Sequence, residues 1–269
     1  MTPPLLQYDH VTVRRGDQIA LDDISLSIPA GEHVAILGPN GSGKSTFIKT
    51  LTRECYPSIT GRPSGFRILG RDTWDLFELR ALLGIVTNDL VAACTREVTG
   101  RDTILSGFFS SIGVWAHHHV TAAMQTRTDE ILDLLEVAPL AGRRLDELSS
   151  GEARRLVIGR ALVHEPKAIV LDEPTNSLDL GASHELREIL RKVVRAGTTM
   201  ILVTHQLQDI IPEIDRVVFL QHGRIVGDGC KADVVTAEAL THLFGVRVGV
   251  ARRDGYDEAW GRTAASSDG

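Results

Sequence analysis

The stretch Val34–Gly38 reads VAILG, a short apolar run of the kind a buried parallel strand uses. It continues without a break into Gly38, Pro39, Asn40, Gly41, Ser42, Gly43, Lys44, Ser45 and Thr46. Those residues satisfy the pattern G-x-x-x-x-G-K-[ST] in full, and a helical pattern starts near Lys44. A strand, a tight glycine loop and a helix in that order point to a parallel sheet covered by helices. A chance glycine turn would not come with the strand before it and the helix after it. The glycines let the backbone wrap a phosphate chain with successive N–H groups pointing inward, and the helix N-terminus adds the positive end of its dipole. In such a loop Lys44 is expected to contact β- and γ-phosphates, and the Ser45 hydroxyl to ligate Mg²⁺.

The rest of the chain fits a sheet of this kind. Residues 5–13 and 19–28 alternate apolar and polar about a Gly16-Asp17 turn, which predicts two antiparallel strands. Further apolar strands are expected at Gly84–Thr87, Ala168–Leu171 and Met200–Thr204, separated by helical patterns. From about Thr95 to His164 the pattern is almost wholly helical. Ile104, Leu105, Phe108, Phe109 and Ile112 share one helical face, and Ile131, Leu132, Leu134 and Leu135 mark another helix. The expected fold class is therefore α/β: a P-loop NTPase parallel-sheet core with an N-terminal antiparallel β subdomain and an inserted α-helical subdomain at about 88–164. Residues 1–245 are expected to form this domain and 246–269 a C-terminal extension. Its end, GRTAASSDG from Gly261, reads as disordered.

Ala168–Glu173 reads AIVLDE, an apolar strand ending in two acids. An acid at the C-terminal end of a parallel strand faces the crevice where such sheets bind ligands. Asp172 is placed to hold Mg²⁺ through its water shell, and Glu173 to orient and deprotonate an attacking water. Alone, such a pair can merely cap the following helix; beside the phosphate loop it predicts a nucleoside triphosphatase. Leu148, Ser149, Ser150, Gly151 and Glu152 then offer a second anion site of Ser hydroxyls, a Gly N–H and a helix N-terminus. Taken alone, those residues also read as the N-cap of the helix that follows.

The order of these motifs settles between the readings. Leu148–Glu152 resembles the LSGGQ signature of ABC ATPases, with Ser150 for the first Gly and Glu152 for Gln. Asn176–Asp179 resembles the D-loop, His205 at the end of Leu202–His205 the switch histidine, and Gly84–Asn88 sits where the Q-loop belongs. The resemblance covers roughly residues 5–245. It implies a dimer with two Mg-ATP in its interface. Lys44, Ser45, Asp172, Glu173 and His205 would act in cis, and Ser149, Ser150, Gly151 and Asp179 across the interface. Water would attack the γ-phosphate with Glu173 as base and His205 contacting that phosphate.

Two positions depart from the family pattern. The Q-loop glutamine is Asn88, one methylene shorter; its amide oxygen can still meet Mg²⁺ or a bound water, with reduced reach. The aromatic residue that stacks on adenine falls near Arg15, whose guanidinium plane can also stack on a base; a solvated strand-end arginine is the other reading. Tyr8 lies earlier in the strand and is expected to pack elsewhere. His117, His118 and His119 read as a solvated loop, because consecutive helical histidines diverge too far to share a metal. The stripe at Phe108, Phe109 and Trp115 reads as subdomain core, its edge a groove for a permease helix.

Composition bounds the partners. A net charge of -6 and a pI near 5.9 argue against a generic nucleic-acid binder. Cys55, Cys94 and Cys230 are odd in number and scattered, so reduced thiols are expected. No secretory leader and no run of 18 apolar residues is visible, so a membrane role has to come from a partner. REVTGRDTILSGFFSSIGVW at 96–115 resembles the equivalent stretch of importer ATPases for iron chelates and vitamin B12, and the chain as a whole, with LFGVRV at 243–248 and RRDGY at 252–256, resembles those labelled molybdenum-transport or photorepair. The resemblance implies a cytoplasmic subunit on the inner face of the membrane. It would serve an integral permease, with a substrate-binding protein if the system imports. The alternative is a soluble ABC ATPase acting on a protein, ribosome or DNA.

Overall fold

The computed structural model describes residues 3–59 and 61–262. The chain divides into two compact units, Met1–Gly70 with Leu202–Gly269, and Arg71–Ile201.

In the first unit β1 (Leu6–Arg15) and β2 (Gln18–Ile28) form the expected antiparallel hairpin. Next come β3 (Val34–Leu37), fully buried, α1 (Lys44–Leu51) and β4 (Gly65–Ile68), which pairs antiparallel with β1. Tyr8 joins this sheet to α1. Its ring packs against Phe47 and Phe66, and its hydroxyl donates to Thr50 Oγ1 at 2.6 Å, Thr50 having given its own proton to the Phe47 carbonyl. Burial raises the phenol pKa far above its usual value. Tyr8 is thus buried between this sheet and α1.

The second unit contains α2 (Leu76–Leu82), β5 (Leu83–Val86), α3 (Asn88–Cys94), α4 (Gly100–Leu105), α5 (Ala122–Leu134), α6 (Ser150–Leu162), β6 (Ala168–Asp172) and α7 (Leu180–Arg195). β5 and β6 pair in parallel. Side chains of α4 and α5 close on α6, with Ile104, Ile131 and Leu135 around Gly159. In α7, Leu186, Ile189, Leu190, Val193 and Val194 form one buried stripe at helical spacing. Asp179 caps its start and Lys192 and Arg195 lie in its last turn.

Three expectations need correction here. The helical face from Ile104 to Ile112 is interrupted: α4 stops at Leu105, a 3₁₀ turn takes Ser106–Phe109, and Ser110 has φ 50°. Residues 110–121 hold no helix, so 95–164 is less helical than its pattern suggests. Trp115, read as core, is 58% exposed, whereas Phe108 and Phe109 are half-buried. The histidine triplet lies in this loop, with His118 stacked on Phe109 and His117 and His119 exposed.

The chain returns to the first unit within β7 (Thr199–Thr204). β8 (Arg216–Gln221) pairs parallel with β3, and β9 (Arg224–Cys230) antiparallel with β8. After α8 (Lys231–Val234) and α9 (Ala237–Phe244) the extension forms a hairpin of β10 (Val248–Arg253) and β11 (Tyr256–Gly261). Of the end expected to be disordered, Gly261 closes β11 opposite Val248 and Arg262 N donates to Arg247 O at 2.8 Å, a correction to that expectation; residues 263–269 lie outside the described residues. The described cysteines carry free thiols. Among the described residues no helix is long and apolar enough to cross a membrane.

The start of α6 is a full capping box. The Ser149 hydroxyl accepts from Glu152 N, and the Glu152 carboxylate accepts from Ser149 N at 2.8 Å. Hydrogen bonds from the Ser149 side chain and backbone hold the Glu152 carboxyl below the usual 4.5. A depressed carboxylate pKa stabilises above the unfolded value and loses that contribution as pH falls through the folded one. Acidification from pH 5 to pH 3 should therefore cost the wild type more stability than Glu152→Gln. The gap should be about 0.5 kcal/mol, the scale of a helix cap, in urea melts at both pH values. Equal losses would show that the carboxylate adds nothing to the cap.

Candidate nucleotide site

In the first unit the loop 38–43 is fixed by how closely backbone approaches backbone. A Cβ on Gly38 would sit 2.1 Å from the Leu220 carbonyl oxygen, so no side chain fits there. Gly43 has φ 111°, and its Cβ would meet the Ala20 carbonyl oxygen at 2.7 Å. Gly38 N donates to Thr204 O at 3.2 Å and Gly223 N to Ser42 O at 2.8 Å, which pins both ends of the loop to neighbouring strands and turns. Lys44 is buried, and its Nζ donates to Gly38 O at 2.8 Å and Pro39 O at 3.0 Å. Asn40, Gly41 and Ser45 are exposed, Pro39 is half-buried and Thr46 is buried.

Two observations fit this loop to a polyphosphate. Gly43 precedes α1 with no side-chain cap hydrogen bond, so no capping side chain stands between the helix N-terminus and an anion. The Ser42 hydroxyl is buried with no hydrogen-bond partner, a polar atom within the loop itself. His205 follows β7 and is half-buried. The turn after it is braced by Thr204, whose hydroxyl donates to Asp209 Oδ2 at 2.7 Å and accepts from Gln206 N at 3.0 Å. Arg15 is exposed at the end of β1, paired in register with Gln18.

In the second unit Asp172 ends β6, half-buried, and Glu173 follows with φ 46°. A residue with a Cβ is strained in that left-handed region, by about 1–3 kcal/mol, and such strain collects at functional turns. The Glu173 carbonyl accepts from Asn176 N at 3.1 Å and from Arg154 Nη1 at 2.9 Å. Asn88 does not extend β5: Thr87 caps α3 through its hydroxyl, and Asn88 is the first helical residue, its Oδ1 accepting from Arg154 Nη2 at 3.0 Å. Its neighbour Asp89 is exposed.

The signature residues and the D-loop aspartate come together in this unit. Ser149, Ser150, Gly151, Glu152, Arg155 and Asp179 line a surface hollow of about 350 Å³ with the first turns of α7. A Cβ on Gly151 would touch Ala182 at 3.1 Å, so α6 and α7 approach here, and Asp179 Oδ1 accepts from Ala182 N. Two helix N-termini thus open on one hollow whose lining comes from residues 149–185. Sequence reasoning placed Asn88, Asp172, Glu173 and the signature separately. It missed Arg154, the side chain that touches both Asn88 and the Glu173 turn, since nothing in Glu152-Ala153-Arg154-Arg155 tells which arginine turns inward.

The family model for ABC transporters matches residues 21–176. The chain is 32% identical to the hemin import ATP-binding protein HmuV of Aliivibrio fischeri, over 88% of this chain and 89% of that protein. It is also 32% identical to the cobalt import ATP-binding protein CbiO of Rhodobacter capsulatus, over 92% and 86%. Among solved structures it is similar to cbiO1 of Clostridium perfringens, part of the ABC transporter complex cbiONQ, with a TM-score of 0.75 at 26% identity. That likeness covers 89% of this chain and 94% of the other. The match over more than half the chain, and the expectation drawn from its motifs, lead to one conclusion: the chain belongs to the ABC transporter family, as one of its ATP-binding, ATP-hydrolysing subunits.

Proposed function

We propose that two copies of this chain close around two Mg-ATP and couple hydrolysis to the work of a membrane permease that imports a metal chelate or an oxyanion. Residues 1–245 form the ATPase domain with its helical insertion at 88–164. The observation that carries the dimer is the hollow at Ser149–Glu152 and Asp179: two helix N-termini and exposed serines of the second unit present an anion site at its surface. Such a site suits the γ-phosphate of a nucleotide held by a second copy. Import is supported by the hemin, cobalt and sulfate import proteins among the relatives. The subunit then works at the cytoplasmic face of the membrane.

Within each site Gly38–Gly43 wraps the phosphates, Lys44 moves from its own loop carbonyls to the β- and γ-phosphates, and Arg15 stacks on the base. Ser45, Asp172 and Asn88 would hold Mg²⁺, which supplies charge neutralisation at the phosphate oxygens. Water attacks the γ-phosphorus, its proton passes to the Glu173 carboxylate, and the bond to the β–γ bridging oxygen breaks to release ADP. His205 contacts the γ-phosphate, and Ser149, Ser150, Gly151, Glu152 and Asp179 of the second copy enclose it. Loss of that phosphate removes the charge that joins the two copies, so the dimer opens.

Lys44→Ala should weaken ATP binding by at least about tenfold, since it removes a charge-assisted contact to two phosphates. Glu173→Gln should keep ATP affinity and lose about 10²-fold or more in turnover. Binding by calorimetry and phosphate release measure the two; wild-type turnover by Glu173→Gln contradicts the base assignment. Glu173→Gln protein held in Mg-ATP should also retain a polytopic membrane protein from detergent-solubilised host membranes. Recovery of soluble partners alone contradicts the permease.

A further inference from the structure

Arg154 lies one helical turn beyond Ser150 on α6, and only 7% of it is exposed. Its guanidinium reaches two separate segments. Nη1 donates to the carbonyl oxygens of Glu173 at 2.9 Å and Pro174 at 2.6 Å, and Nη2 donates to Asn88 Oδ1 at 3.0 Å. The neighbouring Arg155 has a different role, pairing with Glu185 at 3.6 Å near the signature hollow. A guanidinium is planar and its donors keep a fixed mutual geometry, so the segments it holds move together. One of them is strained: Glu173 sits at φ 46°, and a strained turn keeps its shape only while its surroundings hold it.

From this geometry we infer that Arg154 is a positioning residue, tying the signature helix to the Glu173 turn and to Asn88 of the same chain. The inference rests on the roles proposed above for Glu173 and Asn88. Its consequence is directional. The N-terminus of α6 carries the loop that meets the second copy's nucleotide, whereas Arg154 holds the groups that act on the chain's own nucleotide. A displacement of α6 when the signature loop engages a phosphate is passed through one side chain to the base of the other site. The short Asn88 and the long Arg154 complement each other, because the arginine's reach meets an amide that a shorter side chain holds close to α3.

The test uses Arg154→Met, which keeps the aliphatic stem and removes the donors, and Arg154→Lys, which keeps the charge without the fork. Turnover should fall on the order of 30-fold in Arg154→Met, a misplaced base being enough for such a loss, with recovery of part of it in Arg154→Lys. ATP affinity, measured without turnover in a Glu173→Gln background, should stay within about twofold, as the phosphate loop is untouched. Asn88→Ala should cost several-fold alone and add little in the Arg154→Met protein, since coupled residues are not additive. In nucleotide-free protein, Arg154→Met should speed amide exchange at Asn176, whose N–H rests on the Glu173 carbonyl. Turnover within twofold of wild type overturns the inference. So do additive penalties, or parallel losses of turnover, ATP affinity and melting temperature, which would mark plain packing. The two failures separate cleanly: turnover retained by Glu173→Gln removes the base, and turnover retained by Arg154→Met removes the positioning.

Discussion

The loop between β3 and α1 exists because three stretches of backbone touch where no side chain fits. Gly38 lies against the Leu220 carbonyl, Gly43 against the Ala20 carbonyl, and Gly223 N binds the Ser42 carbonyl. With the loop pinned in this way, α1 starts uncapped, Lys44 is drawn under its own loop and the Ser42 hydroxyl is left buried without a partner. The partnerless Ser42 hydroxyl is a cost in an isolated chain, and the loop as a whole suits a polyphosphate that brings acceptors of its own. The buried sheet strands around the loop provide the rigidity that keeps it in that state.

The second unit solves a different problem, which is to hold carboxylates and an anion site near one another without mutual cancellation. Glu152 brings a negative charge to the mouth of a hollow suited to phosphate. Its charge is spent on the capping box and shared with Arg143 and Arg155, which also lower its pKa. That arrangement keeps the carboxylate engaged at the start of α6, while Ser150 beside it is exposed and lines the hollow. Arg154, one turn deeper, then fastens the same helix to the turn of Glu173.

Most of this was legible in the sequence, and for a physical reason. Phosphate loops, strand-end acids and helix caps are local, and their residues are adjacent in the chain. Strands β1, β2, β3, β6 and β7 announced themselves by alternation or by unbroken apolar runs. The loop at 110–121 was misread because Ile104, Phe108 and Ile112 keep helical spacing across a 3₁₀ turn, and spacing alone does not report the left-handed Ser110. The terminal hairpin carries its own turn signal in Asp254-Gly255, both at positive φ, between strands of paired register. Arg154 had none. Its hydrogen bonds to Glu173, Pro174 and Asn88 join residues about 20 and 66 positions apart, and only the fold brings them together.

The central claim is that the signature surface of one copy completes the nucleotide site of another. Light scattering of Glu173→Gln protein with Mg-ATP, with and without Ser150→Arg in the same chain, tests it most directly. A nucleotide-dependent dimer that Ser150→Arg abolishes, while each monomer still binds ATP, is the expected result. A dimer that persists in the Ser150→Arg protein, or a parent protein that stays monomeric when saturated with Mg-ATP, would contradict it.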